Sequence, residues 1–553
     1  MRSLIFLIIF FANITSLYSQ NYTRSDSLRG SLNSLRSCYD VYFYDLKVII
    51  NESEKRIETS SFNRIFLTAT FNFTQIQIDL FKNMDIDKIV FENQLLSYHR
   101  ESNAVFIDFP REIMKGEKIV LAVYYSGSPR TAINPPWDGG FSWKKDINGK
   151  SWIGVSCQGL GASSWWPCKD HQSEEPDSMM ITISLLSNDR SLDIVSNGNL
   201  IHDTLFRKDE DLFVNQSKWF VSYPINSYNV SVNIGDFHHF SDKFFGFSDT
   251  LKLDYYVLSY NKTKAIRHFE QVKPMLNCFE EFFGPYPFYN DGYALVETPY
   301  LGMEHQSGIA YGNNYLPGYY GDTSFIAGLD FDFIIVHESG HEWWGNSITT
   351  NDIADMWIHE GFCTYSEVLY VECIYGYETM LSFVNNQKKR IRNDKPIIGD
   401  YEVNNQPSTD MYNKGSLILH TLRSYINNDS LWFSIIRNLT TDFKHKTVDG
   451  SEIINYISKA SNLDLENFFL QYLYTKDIPE LQYRLQKTGR EIVMMFRWNS
   501  IDRFSMPLLI NTGHKDFWIY PNQKWQEITL GSFDISDFNI RDDLFLIDVK
   551  NIK

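Results

Sequence analysis

The sequence predicts a multidomain α+β protein, with a β domain at each end and a mixed α/β domain between them. The chain has 553 residues, whereas one hydrophobic core rarely serves more than ~250–300 residues. Strand-like segments dominate its first half, longer amphipathic segments follow, and short strand-like segments return at the end. We therefore predict domains at residues 21–250, 251–477 and 478–553, preceded by a separate segment at 1–20.

The first domain is predicted to be antiparallel β structure. Its segments "DVYFYDLKVII", "RIFLTATFNF", "KIVLAVYYSG" and "YNVSVNIGDFHHF" are rich in β-branched and aromatic residues. Turn signals such as "NPPWDGG" and "SNG" separate the strands.

The middle domain is predicted to be largely helical. Segments such as "KAIRHFEQVKPMLNCFEEFFG", "DMWIHEGFCTYSEVLYVECIYG" and "NKGSLILHTLRSYI" have helical periodicity, and several end at Gly. Strands return in "EIVMMFRW", "FWIY" and "LFLIDVK", which predicts a small C-terminal β domain.

The first twenty residues have the pattern of a cleaved secretory signal. Arg2 is followed by an apolar run from Leu4 to Ala12, and the small residue Ser19 suits a cleavage site. That run is too short to span a bilayer, and no later run is long enough, so we expect export to the periplasm or the extracellular space and no transmembrane span.

Charge and cysteine content narrow the function classes further. The net charge of −17 makes nucleic acid an unsuitable partner. Six cysteines are too few for a disulfide framework, although export would permit bridges, and Cys157 and Cys168 are one candidate pair. Cys363 and Cys373 are ten residues apart on one predicted helix, too far for a bridge.

The strongest chemical signal is "HESGH". On a helix, residues i and i+4 share a face, so His337 and His341 can reach one metal ion, with Glu338 between them. Eighteen residues separate His341 from Glu360, which opens another predicted helix after a turn-rich segment. Two imidazoles and a carboxylate with an open fourth position form a catalytic zinc set. A Glu360 on a solvated surface is disfavoured by its apolar neighbours Trp357 and Phe362.

Together these motifs resemble the gluzincin zinc aminopeptidases, the aminopeptidase N family, which also contains the leukotriene epoxide hydrolase. The family's His-Glu-x-x-His motif and following Glu stand intact in this chain. Its Gly-x-Met-Glu-Asn motif appears at residues 301–305 with two departures, Leu301 and His305. "MYNKGS" resembles the segment that carries the family's catalytic Tyr, here Tyr412, and "CQGLGASSWWPC" resembles a substrate-pocket segment, which suggests Gln158. Secreted bacterial members also read "GMEHQS".

The resemblance covers about residues 38–475. It implies a saddle-like N-terminal β domain, a thermolysin-like catalytic domain and one zinc ion per chain. Larger members have a long helical C-terminal domain over the site. Here only a short β-rich tail follows residue 477, so we expect no helical roof and a more open cavity.

The expected reaction removes the N-terminal residue of a peptide by attack of a zinc-activated water. Glu338 is the expected general base, and the resemblance assigns Tyr412 as the donor to the oxyanion. Glu304 is expected to bind the free α-ammonium of the substrate, with Gln158 in the first side-chain pocket. The strand at Gly302 and Met303 is expected to pair with the substrate backbone.

The alternatives are an epoxide hydrolase on the same scaffold, an endopeptidase with the same metal site, and a non-catalytic peptide-binding protein. Glu304 in its motif argues against the endopeptidase, and the unbroken set of ligands, base and Tyr argues against loss of catalysis. His305 and His359 each adjoin a motif Glu. A fourth protein ligand would close the catalytic position, so we predict packing or supporting roles for both.

Overall fold

The computed structural model describes residues 22–209 and 212–552. The predicted export signal at residues 1–20 lies outside the described residues. An N-terminal β unit, a mixed helical unit and a C-terminal β unit follow one another along the chain, so the predicted multidomain α+β architecture is confirmed. No observation tests the exact domain boundaries, which stay predictions.

The N-terminal unit contains three sheets. Two short helices precede them, α1 Arg24–Gly30 and α2 Ser34–Ser37. The strands are β1 Tyr39–Asn51, β2 Arg56–Ala69, β3 Phe73–Asp79, β4 Met84–Phe91, β5 Gln94–Leu95, β6 Tyr98–Glu101, β7 Ala104–Ile113, β8 Lys118–Gly127, β9 Gly140–Lys145, β10 Ser151–Ser156, β11 Ser178–Ser187, β12 Asp193–Val195, β13 Asn199–Arg207, β14 Phe213–Val221 and β15 Asn233–Gly235.

The largest of these sheets has the strand order β13-β14-β11-β1-β2-β8-β4-β5. Its pairs are antiparallel except for β1 with β11, which run parallel. Alternate residues of β1, including Tyr44, Leu46 and Val48, are fully buried, because successive side chains of a strand point to opposite faces.

The middle unit combines a five-stranded sheet with helices. Its helices are α3 Lys262–His268, α4 Val272–Phe283, α5 Phe333–Gly340, α6 Trp357–Tyr375, α7 Tyr377–Gln387, α8 Asn413–Ile426, α9 Asp429–Asp442, α10 Gly450–Ser461 and α11 Glu466–Tyr474. Its strands are β16 Phe237–Phe245, β17 Thr250–Leu258, β18 Tyr293–Glu297, β19 Gly302–Met303, β20 Ile309–Tyr311, β21 Ile348–Thr350 and β22 Lys446–Val448.

The sheet order β16-β17-β18-β20-β19 leaves β19 at one edge. The boundary predicted at 250/251 falls at the start of β17, which pairs along its whole length with β16. This hairpin therefore joins the sheet that carries the predicted substrate strand.

A disulfide between Cys278 of α4 and Cys373 of α6 ties two helices of the middle unit together. The candidate pair Cys157 and Cys168 is not bonded, because both are buried free thiols. The sequence-based choice of pair was wrong, since bridging depends on which elements pack together rather than on proximity along the chain.

The C-terminal unit is β structure, as predicted. Its strands are β23 Glu480–Thr488, β24 Glu491–Asn499, β25 Leu508–Asn511, β26 Asp516–Ile519, β27 Gln526–Gly531, β28 Asn539–Ile540 and β29 Asp548–Asn551. Its apolar side chains join the core of the middle unit, and the Tyr472 hydroxyl donates to the Leu546 carbonyl at 2.7 Å. No α-helix follows Tyr474 up to residue 552. Within the described ranges, no helix is both long and apolar enough to cross a membrane.

Candidate active site

The three predicted metal ligands meet in one buried cluster. His337 lies in the last turn of α5, and His341 follows that helix with helical backbone angles. Glu360 lies in the first turn of α6. Its Oε2 is 3.6 Å from His337 Nε2 and 3.5 Å from His341 Nε2. The turn between the two helices therefore brings the carboxylate back to the imidazoles, as the spacing predicts.

The cluster fits a tetrahedral cation. Bonds of ~2.0–2.2 Å to zinc separate neighbouring ligand atoms by roughly 3.4 Å, close to both nitrogen–oxygen distances. Glu360 Oε2 is buried and has no hydrogen-bond partner among the described residues. Burial of an unpaired carboxylate oxygen costs free energy unless a cation binds to it. Burial alone would raise the pKa of Glu360, but His341 and His337 lower it below its ordinary value.

His337 and His341 each face Glu360 with Nε2 and are oriented by a contact at Nδ1. His337 Nδ1 lies 2.7 Å from Glu367 Oε1, and His341 Nδ1 lies 2.9 Å from the Trp344 carbonyl. Because a carbonyl only accepts, His341 Nδ1 carries the proton and Nε2 keeps its lone pair for a metal. Glu367 was missed by the sequence analysis, although it is seven residues beyond Glu360 on α6 and therefore on the same face.

Glu338 lies beside this cluster and is 8% exposed. Burial raises its pKa to about 7, although His337 and His341 oppose the shift. A carboxylate with a pKa near neutrality can both accept and return a proton at physiological pH. Glu304, Glu338 and His341 also bring ligand atoms within 4.8 Å of one another, so acidic groups crowd one side of the cluster.

Strand β19, the predicted substrate strand, packs directly on α5 because Gly302 has no side chain. A Cβ at Gly302 would lie 2.6 Å from Ile334 Cγ2 and 2.8 Å from Glu338 Oε1. Met303, the other residue of β19, is 3% exposed. Since β19 is the edge of its sheet, one of its backbone edges is available to an added strand.

Glu304 follows β19 and is linked to the N-terminal unit. The Tyr228 hydroxyl donates to its Oε1 at 3.1 Å. Gln158 Nε2 donates to the same oxygen and, at 3.1 Å, to Glu360 Oε1. Burial raises the pKa of Glu304, and Glu360 adds to that rise while His341 opposes it. Gln158 thus bridges the predicted ammonium-binding group and a predicted metal ligand.

Tyr412 lies at the start of α8, with its ring centroid 6.1 Å from that of His337. Burial and the carboxylate of Glu360 raise its pKa, so its hydroxyl remains a donor near neutral pH. Two glycines permit this approach, because a Cβ on Gly415 of α8 would lie 2.9 Å from the Cα of Gly361 on α6. Tyr412 and Glu360 are therefore carried by two closely packed helices.

All the predicted site residues line one cavity of about 690 Å³. Its wall combines the N-terminal unit with the middle unit. The predicted residues that line it are Gln158, Gly302, Met303, Glu304, His337, Glu338, His341, Glu360 and Tyr412.

His305 and His359 are fully buried. Burial lowers the pKa of each to about 3. The Thr350 N–H donates to His359 Nε2 at 2.9 Å, whereas neither ring nitrogen of His305 has a hydrogen-bond partner within the described part of the chain. Neither histidine is part of the metal-capable groups found among the described residues.

Tyr228 was missed by the sequence analysis as well. It follows a turn at Asn226, whose side chain accepts from the Tyr228 N–H, and it is 76 residues away from Glu304 along the chain. No local pattern in the sequence marks it among 33 tyrosines.

Known proteins share this domain. The sequence model described as "Peptidase family M1 domain" matches residues 267–472. Probable aminopeptidase 1 of Sulfurisphaera tokodaii is 22% identical over 61% of this chain and 43% of its own length. Aminopeptidase M1-D of Oryza sativa is 20% identical over 79% of this chain and 48% of its own length. The chain thus spans less than half the length of these curated relatives.

Solved structures share the fold. The crystal structure of a mutant M1 zinc metallopeptidase from Deinococcus radiodurans, bound to a Tyr-Ser-Ala substrate, has a TM-score of 0.64 and 18% identity, and the match covers 80% of this chain and 96% of that one. A two-domain mutant M1 zinc metallopeptidase bound to L-tryptophan matches with a TM-score of 0.61 and 19% identity, over 77% of this chain and 93% of that one. Residues 267–472 thus match the M1 peptidase domain, and the chain resembles aminopeptidases in sequence and M1 zinc metallopeptidases in fold.

Proposed function

We propose that this protein is a zinc-dependent aminopeptidase that removes the N-terminal residue of peptides. The observation that carries the proposal is the convergence of His337, His341 and Glu360 in one cavity with the buried carboxylates of Glu338 and Glu304. The aminopeptidase relatives support the same reaction class. We also propose one zinc ion per chain, and export directed by residues 1–20.

His337, His341 and Glu360 would hold the zinc ion. When bound, zinc polarises the scissile carbonyl and acidifies water. Glu338 accepts a proton from the attacking water and returns it to the leaving amine. The Tyr412 hydroxyl donates a hydrogen bond to the developing oxyanion.

Glu304 makes the enzyme act on chain ends. Its buried carboxylate gains a charge-assisted hydrogen bond from a free α-ammonium. An internal peptide nitrogen has no charge and would leave the carboxylate buried without a cationic partner, which is unfavourable. The edge strand β19 supports the backbone of the bound peptide by pairing with it.

The test uses the purified full chain loaded with zinc. A panel of aminoacyl p-nitroanilides is compared with the N-acetylated form of each, before and after treatment with a chelator and after zinc is restored. We expect hydrolysis of the free-amine substrates only, loss of activity after chelation, and recovery with zinc. Comparable cleavage of the acetylated substrates would point to an endopeptidase, and activity in protein shown by elemental analysis to be metal-free would exclude the metal mechanism.

Glu304→Gln tests the chain-end role separately. The substitution removes the charge while it retains the shape, so we expect a higher KM for the free-amine substrates. Glu342→Gln is a matched control, because Glu342 is also a buried carboxylate but does not line the cavity. An unchanged KM in Glu304→Gln would remove Glu304 from ammonium binding.

A further inference from the structure

The cavity carries two cationic side chains that the proposed reaction does not use. Arg390 and Arg392 line the same cavity as the metal cluster. Among the described residues of its wall, they are the ones with a permanently cationic side chain. The chain as a whole carries a net charge of −17. The presence of two arginines in a cavity that also contains acidic groups is therefore not explained by the overall charge.

Arg392 is anchored to the loop that leads into Tyr412. Its backbone N–H donates to Asp410 Oδ1 at 2.9 Å, and that of Asn393 donates to Asp410 Oδ2 at 2.7 Å. Asp410 is 2% exposed and lies two residues before Tyr412. The backbone that carries Arg392 is therefore fixed relative to the proposed oxyanion donor. The Arg392 side chain is exposed and lines the cavity.

Arg390 interacts electrostatically with Glu367, the carboxylate that contacts His337. Its Nη2 donates to the Ser324 carbonyl at 3.3 Å. Burial lowers its pKa, although Glu367, the partner of His337, opposes this shift. A guanidinium that loses hydration in this way gains from an added anion. Glu304, in contrast, is held by Gln158 and Tyr228 of the N-terminal unit.

We propose that Arg390 and Arg392 bind the C-terminal carboxylate of short peptide substrates. A short peptide with free ends is a zwitterion, and the cavity offers it a carboxylate for its ammonium and two guanidinium groups for its carboxylate. Guanidinium groups pair with carboxylates through two parallel hydrogen bonds. This inference rests on the proposed aminopeptidase function and adds to it a preference for short peptides with a free C-terminus over amidated or long ones.

The test compares each peptide with its own C-terminal amide. Peptides X-Gly, X-Gly-Gly and longer members are assayed as acid and as amide, where X is the residue that the anilide panel shows to be preferred. We expect the acid to have a kcat/KM about 10- to 100-fold above the amide at one or two lengths, the size of one or two hydrogen bonds between charged groups. The difference should lie mainly in KM and should vanish for long peptides.

Substitutions then assign the effect to the arginines. In Arg392→Gln the acid-to-amide ratio should fall toward one, and in Arg392→Lys, which retains the charge, part of it should remain. The ratio is insensitive to general damage, because misfolding lowers both rates equally. Arg490→Gln, an exposed residue in the C-terminal unit, should have the native ratio at every length.

Three results would overturn the proposal. The first is an acid-to-amide ratio of one in the native enzyme at every length while the anilides are hydrolysed, which leaves the aminopeptidase function intact. The second is a ratio that survives the Arg390→Gln/Arg392→Gln double substitution. The third is an amide with an internal Glu that is preferred as strongly as the acid, which would assign the arginines to side-chain carboxylates. Absence of hydrolysis of every substrate would refute the aminopeptidase function and this inference together.

Discussion

Two buried networks of charged residues differ in whether groups of the protein itself pair with their charges. In the N-terminal unit, fully buried Arg36 pairs with Asp79 and also donates to the carbonyls of Arg29 at 2.6 Å and Asp170 at 3.1 Å. Asp79 in turn accepts from the Gln77 amide at 3.1 Å. Apart from Arg36 Nε, the polar atoms of this pair find partners within the protein.

The cavity network is left incomplete. Glu304, Glu338 and Glu360 are buried together with two histidines, and Glu360 Oε2 has no hydrogen-bond partner in the part of the chain that the structure describes. In the proposed mechanism, the two networks differ because the charges that balance the cavity come from outside the polypeptide. A zinc ion and a substrate ammonium supply them in the proposed mechanism, whereas the N-terminal network has to be neutral on its own.

The largest expected effect is the loss of activity when a buried carboxylate of the cavity is changed. Glu338→Gln removes the proton acceptor, so kcat should fall by about 10²- to 10⁴-fold, while the melting temperature stays unchanged or rises because a buried carboxylate is gone. Steady-state kinetics and thermal melting of the zinc-loaded enzyme measure both.

The matched control is Glu342→Gln. Glu342 accepts from the Ser307 N–H at 2.9 Å and from the Tyr286 hydroxyl at 2.9 Å. A Gln can retain both contacts if the Tyr286 proton turns to the Gly292 carbonyl, 3.0 Å away. This variant should retain kcat, and a Glu338→Gln enzyme with native kcat would remove Glu338 as the base.

Substitutions in the Arg36–Asp79 network should change the free energy of unfolding and leave the activity unchanged. Arg36→Met leaves Asp79 buried without its cation, which should cost about 3–5 kcal/mol of unfolding free energy. The specific activity of the folded fraction should not change. The double substitution Arg36→Met/Asp79→Leu should recover most of the loss, as denaturant unfolding would reveal. A single substitution without effect on stability would contradict the contrast between the networks.

A slightly smaller catalytic effect is expected from Tyr412→Phe. Loss of one donor to an oxyanion typically costs ~2.7–4 kcal/mol of transition-state stabilisation, so kcat should fall while KM for the anilides changes little. Tyr319→Phe, which alters another tyrosine of the cavity wall, serves as the control. Equal kcat values in the two variants would remove Tyr412 from the mechanism.

The smallest effect concerns His420, a buried histidine at which burial outweighs the electrostatic influence of Asp543. Burial lowers the pKa of His420 to about 3, whereas the carboxylates around His337 raise its pKa despite burial. Because the folded-state pKa of His420 lies below the unfolded value of ~6.5, its contribution is absent above that pH and destabilises the fold by ~1.4 kcal/mol per pH unit below it.

His420→Leu should therefore weaken the acid dependence of the melting temperature between pH 6.5 and pH 4. The variant lacks the uptake of about one proton that accompanies unfolding of the native protein in this range. The exposed residue His514 offers a control, since His514→Leu should leave the native slope. An identical slope in His420→Leu and the native protein would show that His420 takes up its proton without cost to the fold.

The proximity of His337 and His341, two of the proposed metal ligands, was predictable because their relative geometry is local. His337 and His341 share a helix face through the helical period, and the same argument applied to Glu360 would have found Glu367. The order of the three units followed from the change between strand and helix periodicity. The disulfide between Cys278 and Cys373 was not predictable, because its partners are 95 residues apart and meet only when α4 packs on α6.

The sequence by itself determined the donor types, their spacing and the helix that carries two of them, since periodicity is a property of neighbouring residues. The tertiary structure decided which distant groups complete the site. Tyr228 reaches Glu304 across 76 residues, and Gln158 reaches Glu360 across 202. It also brought Arg390 and Arg392 to the cavity wall. Such contacts depend on how whole units pack, and packing is decided by the summed burial of many side chains rather than by any short pattern.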